Sequence, residues 1–255
     1  MSVALTSVAP TSVAPIFVAP ALRFDRLDVL RALAILWMAA FHFSFDLNHF
    51  GFTRQNFYDD PFWTVQRNAI VSVFLFCAGV GQAIAIEQGQ TWGRFWRRWA
   101  QVAACALLVS VGSSLAFPQS TITFGVLHAI ALMLIVTRLT ARLGHWLWLL
   151  GAVAMLLPRA VQHPFFDSRL TNWVGLVTQR PTTEDFVPLL PWLGVMWWGL
   201  AAGGWLLARR REWLTGALPA VARPLATLGR WSLSFYMLHQ PVFIGLLAAL
   251  AWAGR

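Results

Sequence analysis

One apolar run constrains the fold of this chain more than any other feature. The segment from Asp25 to Gly51 is long enough to cross a membrane as a helix, and it carries His42, Asp46 and His49. Spacings of four and three residues place these side chains on one stripe of a helix. Ionisable groups inside a membrane are costly unless they face a protein interior or a water-filled cavity. The pattern therefore predicts a functional site as well as a membrane anchor.

The composition extends this prediction to the whole chain. Its residues are 58% hydrophobic and only 11% charged, whereas about a quarter of the residues in a soluble domain are charged. All 19 basic residues are Arg, and they gather at the ends of apolar runs. This distribution indicates a polytopic membrane protein with no nucleic-acid partner. Cys77 and Cys105 lie inside apolar runs, which favours buried thiols over a disulfide or a metal site.

The segment before Phe24 carries a five-residue repeat. TSVAP stands at 6–10 and again at 11–15, and IFVAP follows at 16–20. Because Pro recurs at every fifth position, a continuous helix cannot form there. We therefore expect residues 1–23 to be a low-complexity tail without a catalytic role, and residues 24–255 to form one transmembrane domain.

Apolar runs predict an all-α bundle with about seven membrane-spanning helices. The predicted spans are 27–47, 68–87, 97–116, 122–141, 144–161, 188–208 and 231–252. The fifth span is short, so a tilted or re-entrant segment is an alternative there. Most Arg residues fall on one side of this arrangement, which places the N-terminus in the cytoplasm and predicts a bacterial inner-membrane protein. The longest outer loops are predicted at 48–67 and 162–187.

The rise of a helix gives each polar residue a predicted depth. At about 1.5 Å per residue, His42 lies about 21 Å above Asp28 at the inner boundary, and His128 has a similar depth in the fourth span. His239 lies only about 12 Å above the inner boundary in the last span. Depth thus predicts an outer group of His42, Asp46, His49 and His128, and an inner group of Ser232, Tyr236 and His239.

Other ligand motifs are weak or missing. A His and a carboxylate at helical spacing can converge on a metal ion, but the stripe of the first span lacks the additional ligands of a specific site. We therefore expect no metal. The sequence also contains neither a phosphate-binding loop with Lys nor a Gly-x-Ser-x-Gly motif.

Four segments of the chain resemble one family in their order and spacing. They are RFDRLDVLRALAILWMAAFHFSFDLNHFG at 23–51, VFLFCAGVGQAIA at 73–85, DFVPLLPWLGVMWWG at 185–199 and LGRWSLSFYMLHQP at 228–241. Together they are similar to the heparan-alpha-glucosaminide N-acetyltransferase catalytic-domain family. The resemblance implies transfer of an acetyl or other acyl group from cytoplasmic acyl-CoA to an amine or hydroxyl acceptor on the outer side. A sugar or glycan is the implied acceptor.

The resemblance also implies site residues. His49 matches a catalytic histidine after the first span and His42 matches a polar side chain near its end, although a gap between the two allows their roles to be exchanged. Asp46 can orient either histidine, since it lies three or four residues from each. The passage for acyl-CoA would be lined by His128, His239, Tyr236 and Ser232, with Arg94, Arg97 and Arg98 offering charge to the CoA phosphates.

Two other classes of protein fit the same residues. In a proton-coupled transporter the histidines would relay protons without covalent chemistry, although no inverted repeat is evident among the predicted spans. In a non-catalytic membrane subunit they would only pack. The sequence leaves the homo-oligomeric state open, and the lipid bilayer is the one partner that composition alone predicts.

Overall fold

The computed structural model describes residues 24–116, 118–183 and 185–253. The predicted tail at 1–23 lies outside the described residues. Within them the chain forms nine α-helices and no β-strand. The helices are α1 (Asp25–His49), α2 (Pro61–Glu87), α3 (Trp92–Ala116), α4 (Val126–Thr140), α5 (Trp146–Ala160), α6 (Leu189–Arg209), α7 (Glu212–Thr215), α8 (Arg223–Arg230) and α9 (Ser232–Ala253).

The prediction of an all-α transmembrane bundle is confirmed. Six helices in the described part of the chain are long and apolar enough to cross a membrane, namely α1, α2, α3, α4 with its short extension, α6 and α9. The fifth predicted span corresponds to α5, an apolar helix of 15 residues, about 22 Å long. It lies along α6, where a side chain at Gly194 would collide with the backbone oxygen of Gly151.

Two helices begin at least five residues earlier than hydropathy predicts. α2 begins at Pro61 instead of residue 68, because the Asp60 side chain accepts a hydrogen bond from the backbone N–H of Phe62 and Pro61 suits the first turn. The predicted outer loop at 48–67 is correspondingly shorter. α3 begins at Trp92 instead of residue 97, since its Arg-rich first turns still bury Phe95. Hydropathy misses such turns because they are helical without being apolar throughout.

The centre of the bundle depends on close backbone contact between α2 and α6. A Cβ atom at Gly79 would collide with the backbone oxygen of Met196, and one at Gly199 with that of Phe76. Small residues allow two helix backbones to pack closely. In lipid, where no hydrophobic driving force acts between helices, this packing stabilises their association. The adjoining core joins α2, α4 and α6 through fully buried Leu75, Met133 and Met196.

Contacts between distant segments define one face of the bundle. Arg230 Nη2 donates a hydrogen bond to Asp25 Oδ1 at 2.9 Å, which joins the end of α8 to the start of α1. Arg138 Nη2 donates to the backbone oxygen of Gln90 at 2.5 Å, which joins the end of α4 to the connection before α3. We call this face the Arg-rich face. The positive-inside rule predicts that it is cytoplasmic.

The connection before α6 is tied to the opposite face. The backbone N–H of Val126 donates to Asp185 Oδ2 at 2.7 Å, so this carboxylate caps the first turn of α4. Arg67 and Arg180 favour its charged form, but burial has the larger effect and raises the pKa of Asp185 from 3.8 to about 6. A loop carboxyl group therefore changes charge at mildly acidic pH where it holds a helix end.

This raised pKa predicts how stability depends on pH. Folded Asp185 binds its proton more tightly than the unfolded chain does, so its stabilising effect is complete below pH 3.8 and is lost as pH rises through about 6. The difference corresponds to at most about 3 kcal/mol. Asp185→Asn cannot ionise. Between about pH 4.5 and pH 7, thermal unfolding in detergent should therefore show wild-type protein losing stability relative to this variant. Parallel pH curves would contradict the prediction.

Candidate active site

Polar side chains of α1 and α9 meet in the half of the bundle that lies away from the Arg-rich face. Gln240 Nε2 donates a hydrogen bond to Asp46 Oδ1 at 2.8 Å. The rings of His42 and His239 lie with their centroids 5.2 Å apart. Asp46 is only 3% exposed and His239 only 7% exposed. We call His42, Asp46, His239 and Gln240 the polar cluster.

Three buried atoms of the polar cluster lack hydrogen-bond partners among the described residues. They are Asp46 Oδ2, His239 Nε2 and Gln240 Oε1. Buried polar atoms are nearly always satisfied, because each unsatisfied one costs about 1–3 kcal/mol. Three such atoms on neighbouring residues are typical of a site that binds a ligand or water. Over the described ranges, no three His, Cys, Asp or Glu side chains are grouped so that they could hold a metal ion.

Aromatic rings surround the polar cluster. Phe235 is stacked parallel to His239 with 6° between the ring planes, and Phe243 meets the same ring edge-on at 5.9 Å. Phe41 contacts His42 edge-on at 5.9 Å. An apolar environment of this kind strengthens the electrostatic interactions of whatever binds there, because little water competes with them. It also fixes the orientation of the His239 ring.

The predicted separation into an inner and an outer group is wrong. Depth counting placed His239 near the inner boundary, but its ring contacts His42 of the outer group. The reason is the position of α9. Phe235 and Tyr236 pack against the buried cluster that contains Ile35 of α1. The fourth and fifth residues of α9 thus lie level with the eleventh residue of the parallel helix α1. A residue near the start of α9 therefore lies level with the second half of α1.

His128 lies at the start of α4. Its Nδ1 accepts a hydrogen bond from the backbone N–H of Gly125 at 3.3 Å, and its Nε2 lies 3.1 Å from Ser110 Oγ. Both ring nitrogens thus have partners, one at the start of α4 and one on α3. These contacts support a structural role that the sequence pattern does not reveal.

The remaining polar residues predicted on α1 and α9 have different positions. His49 is the last residue of α1, exposed on the face opposite the Arg-rich face, with its ring edge-on to Phe50. Tyr236 contacts the His239 ring at 5.7 Å. Ser232 is the first residue of α9, two turns before His239. Tyr236 thus lies at the edge of the polar cluster. His49 lies outside the cluster, at the exposed end of the α1 stripe.

A cleft of about 710 Å³ opens between α1, α2 and α8 near the Arg-rich face. It carries two basic side chains, Arg31 and Arg230, and both are paired with Asp28, at 2.9 Å and 3.8 Å. Gln88 and Thr227 also line it. The cleft is large enough for part of a nucleotide-sized ligand.

The Arg residues predicted to bind CoA lie apart from the lining of this cleft. Arg94, Arg97 and Arg98 are exposed on the first turns of α3. Arg94 donates to the backbone oxygen of Gly89, and Arg98 donates to Gln101 Oε1 at 3.1 Å. They contribute positive charge to the same face of the bundle, at a different place.

Sequence reasoning missed Gln240, Arg31 and Arg230. Gln240 stands next to His239 in the motif at 228–241, so a search for amide partners of Asp46 could have selected it. Because Arg31 and Arg230 lie at the ends of apolar runs, their positions in the sequence indicate only membrane topology. Nothing in their spacing indicates that they share a cleft, which depends on how α8 folds back on α1.

Comparison with known protein families gives a match over most of the chain. The family model described as "Heparan-alpha-glucosaminide N-acetyltransferase, catalytic" matches residues 23–241, which include α1, the start of α9 and the whole polar cluster. No curated protein and no solved structure matches the chain. Because the family model covers most of the sequence, the chain belongs to the heparan-alpha-glucosaminide N-acetyltransferase catalytic family.

Proposed function

We propose that this protein transfers an acetyl group from acetyl-CoA, on the Arg-rich side of the membrane, to an amine or hydroxyl group of a sugar on the opposite side. The observation that carries the proposal is the polar cluster of α1 and α9, whose unpartnered atoms lie inside the segment matched by the acetyltransferase family. A membrane enzyme of this kind needs a buried polar site reachable from both faces. We assign the donor to one side of the cluster and the acceptor to the other.

The cleft between α1, α2 and α8 is suited to the CoA end of the donor. Arg31 and Arg230 supply guanidinium groups, which bind phosphate through charge-assisted hydrogen bonds. His42 follows Arg31 by eleven residues on the same helix, about 16 Å along its axis. An extended pantetheine arm covers that distance, so the thioester would reach the polar cluster while the phosphates stay near the surface.

The α1 stripe supplies two of the catalytic histidines in this proposal. Transfer to an amine or hydroxyl group requires a base, and histidine is the side chain whose ordinary pKa range suits that role near neutral pH. His42 lies inside the polar cluster, and His49 lies two stripe positions further out, where an acceptor would enter. Asp46, between them on the stripe, is hydrogen-bonded to Gln240 and orients the site.

Acetyl transfer can be tested on purified protein in lipid nanodiscs. We expect release of free CoA from acetyl-CoA to depend on added acceptor, with glucosamine as the first probe and mass spectrometry to identify the acetylated product. Heat-inactivated protein is the control. Absence of both CoA release and product with a panel of amino sugars and alcohols would contradict the proposal. Uptake of the sugars into proteoliposomes without acyl-CoA would instead indicate a transporter.

The cleft gives a sharper prediction about the donor. Arg31→Gln and Arg230→Gln should each raise the KM for acetyl-CoA about tenfold, since losing one charge-assisted contact to phosphate costs about 1.4 kcal/mol. The KM for S-acetylpantetheine, which lacks the nucleotide phosphates, should not change. Arg142→Gln, an exposed residue of the same face, is the matched control. Equal effects on both donors would contradict a phosphate-binding role.

A further inference from the structure

The His239 ring is held in one tautomer by the backbone. Its Nδ1 lies 2.7 Å from the carbonyl oxygen of Tyr236. A carbonyl oxygen can only accept a hydrogen bond, so Nδ1 is the donor and carries a proton. In a neutral ring the other nitrogen, Nε2, then has a free lone pair. His239 therefore presents a proton acceptor rather than a proton donor at Nε2.

The free nitrogen is buried and pre-positioned. Nε2 has no hydrogen-bond partner among the described residues and is shielded from solvent. Stacking on Phe235 and edge contacts with Tyr236 and Phe243 restrict rotation of the ring. A lone pair held in this way needs no reorganisation before it accepts a proton, which is the property of an efficient general base.

His42 does not have the same constraint. Its ring contacts His239 and Phe41, but no hydrogen bond with a described residue fixes which nitrogen carries its proton. The two other atoms without partners nearby, Asp46 Oδ2 and Gln240 Oε1, can both accept hydrogen bonds. A neutral amine donates two hydrogen bonds and a hydroxyl donates one, so an acceptor molecule that carries both groups has enough donors for all three atoms.

From this geometry we propose that His239 is the general base of the acetyl transfer, an inference that rests on the proposed function. His239 Nε2 removes a proton from the acceptor nitrogen or oxygen as that atom forms its bond to the acetyl carbon. The carbon–sulfur bond breaks and its electron pair leaves with the CoA sulfur. The proton then passes from His239 to the thiolate, so that free CoA and neutral His239 result.

A pair of amide variants distinguishes the roles of the two ring nitrogens of His239. In His239→Asn the amide N–H₂ lies near the position of Nδ1 and can still donate to the Tyr236 carbonyl, whereas the Nε2 lone pair is lost. In His239→Gln the amide lies near the position of Nε2. We expect His239→Asn to fold, to bind acetyl-CoA with unchanged affinity and to transfer acetyl at least about 100-fold more slowly than wild-type protein.

The choice of acceptor distinguishes a base from a merely structural residue. Hydroxylamine is unprotonated at neutral pH and needs little help from a base, so the defect of His239→Asn should be much smaller with hydroxylamine than with glucosamine. His42 and Asp46 face His239 from α1 and titrate as well, so pH–rate profiles should be compared between variants. His239→Asn should lose the contribution of His239 to the acidic limb of wild-type protein, while the contributions of His42, Asp46 and the acceptor amine remain.

Failure of this inference differs from failure of the proposed function. Wild-type protein that transfers no acetyl group contradicts the function, whereas active wild-type protein with His239→Asn within about threefold of its rate overturns the role of His239. Equal defects with both acceptors also overturn it. The tautomer has its own readout in ¹⁵N-histidine NMR spectra. Signals removed by His239→Asn should belong to a neutral ring protonated at Nδ1, and a ring protonated at Nε2 would overturn the inference.

Discussion

Replacement of His42 or of His49 by alanine is expected to lower the rate of acetyl transfer by at least about 100-fold, without loss of acetyl-CoA binding. His42 forms part of the buried polar cluster, and its removal leaves a gap beside His239 where the thioester would react. His49 stands at the end of the same stripe, on the proposed path of the acceptor. The measurement is CoA release by purified variants in nanodiscs, with product formation followed in parallel.

An exposed histidine provides the control for this experiment. His145 lies in the connection before α5, and His145→Ala should keep the wild-type rate. Near-normal turnover of both the His42 and the His49 variant would refute the assignment of the α1 stripe. A large loss in His42→Ala alone would confine the chemistry to the buried polar cluster and refute the role of His49.

Gly199→Val is expected to produce the largest loss of stability. The residue lies where α6 touches α2, and any Cβ atom there would collide with the backbone oxygen of Phe76. Since backbone cannot move aside as a side chain can, the two helices must separate. We expect a cost of about 3 kcal/mol or more, which corresponds to a fall of roughly 10 °C in Tm. Thermal unfolding in detergent, together with yield from membranes, measures the effect.

A second glycine of the same helix is the matched control. Gly204 is also part of α6, but a Cβ atom built on it meets no other atom within 4 Å. Gly204→Val introduces the same side chain with the same cost to helix propensity, and should shift Tm by only a few degrees. Equal shifts in the two variants would show that contact between α2 and α6 does not determine stability.

The helices themselves are largely predictable from this sequence. Apolar runs locate each span, because a single segment that crosses a membrane satisfies its backbone hydrogen bonds only as a helix of sufficient length. The errors lie where turns that contain polar residues are helical, as in the first turns after Pro61 and after Trp92, since hydropathy registers burial in lipid and not local capping. The apolar runs predict a short fifth span, and the corresponding helix α5 is short in the structure as well.

The candidate site is only half predictable. Periodicity within one helix placed His42 and Asp46 on one stripe, and the cluster contains both. The partners from α9 could not be found in the same way, because spacing within a helix says nothing about how far one helix is shifted along another. That shift comes from tertiary packing, here of Phe235 and Tyr236 against α1. His239 was therefore predicted at the wrong depth.

The hydrogen bond between Asp46 and Gln240 joins residues 194 positions apart. A ribosome that has made α1 through α8 has therefore produced half of the polar cluster and none of its α9 side. The site exists only after α9 has been inserted beside α1. Under the proposed function, a nascent chain released before that point would carry the α1 stripe without its α9 partners and could not consume acetyl-CoA.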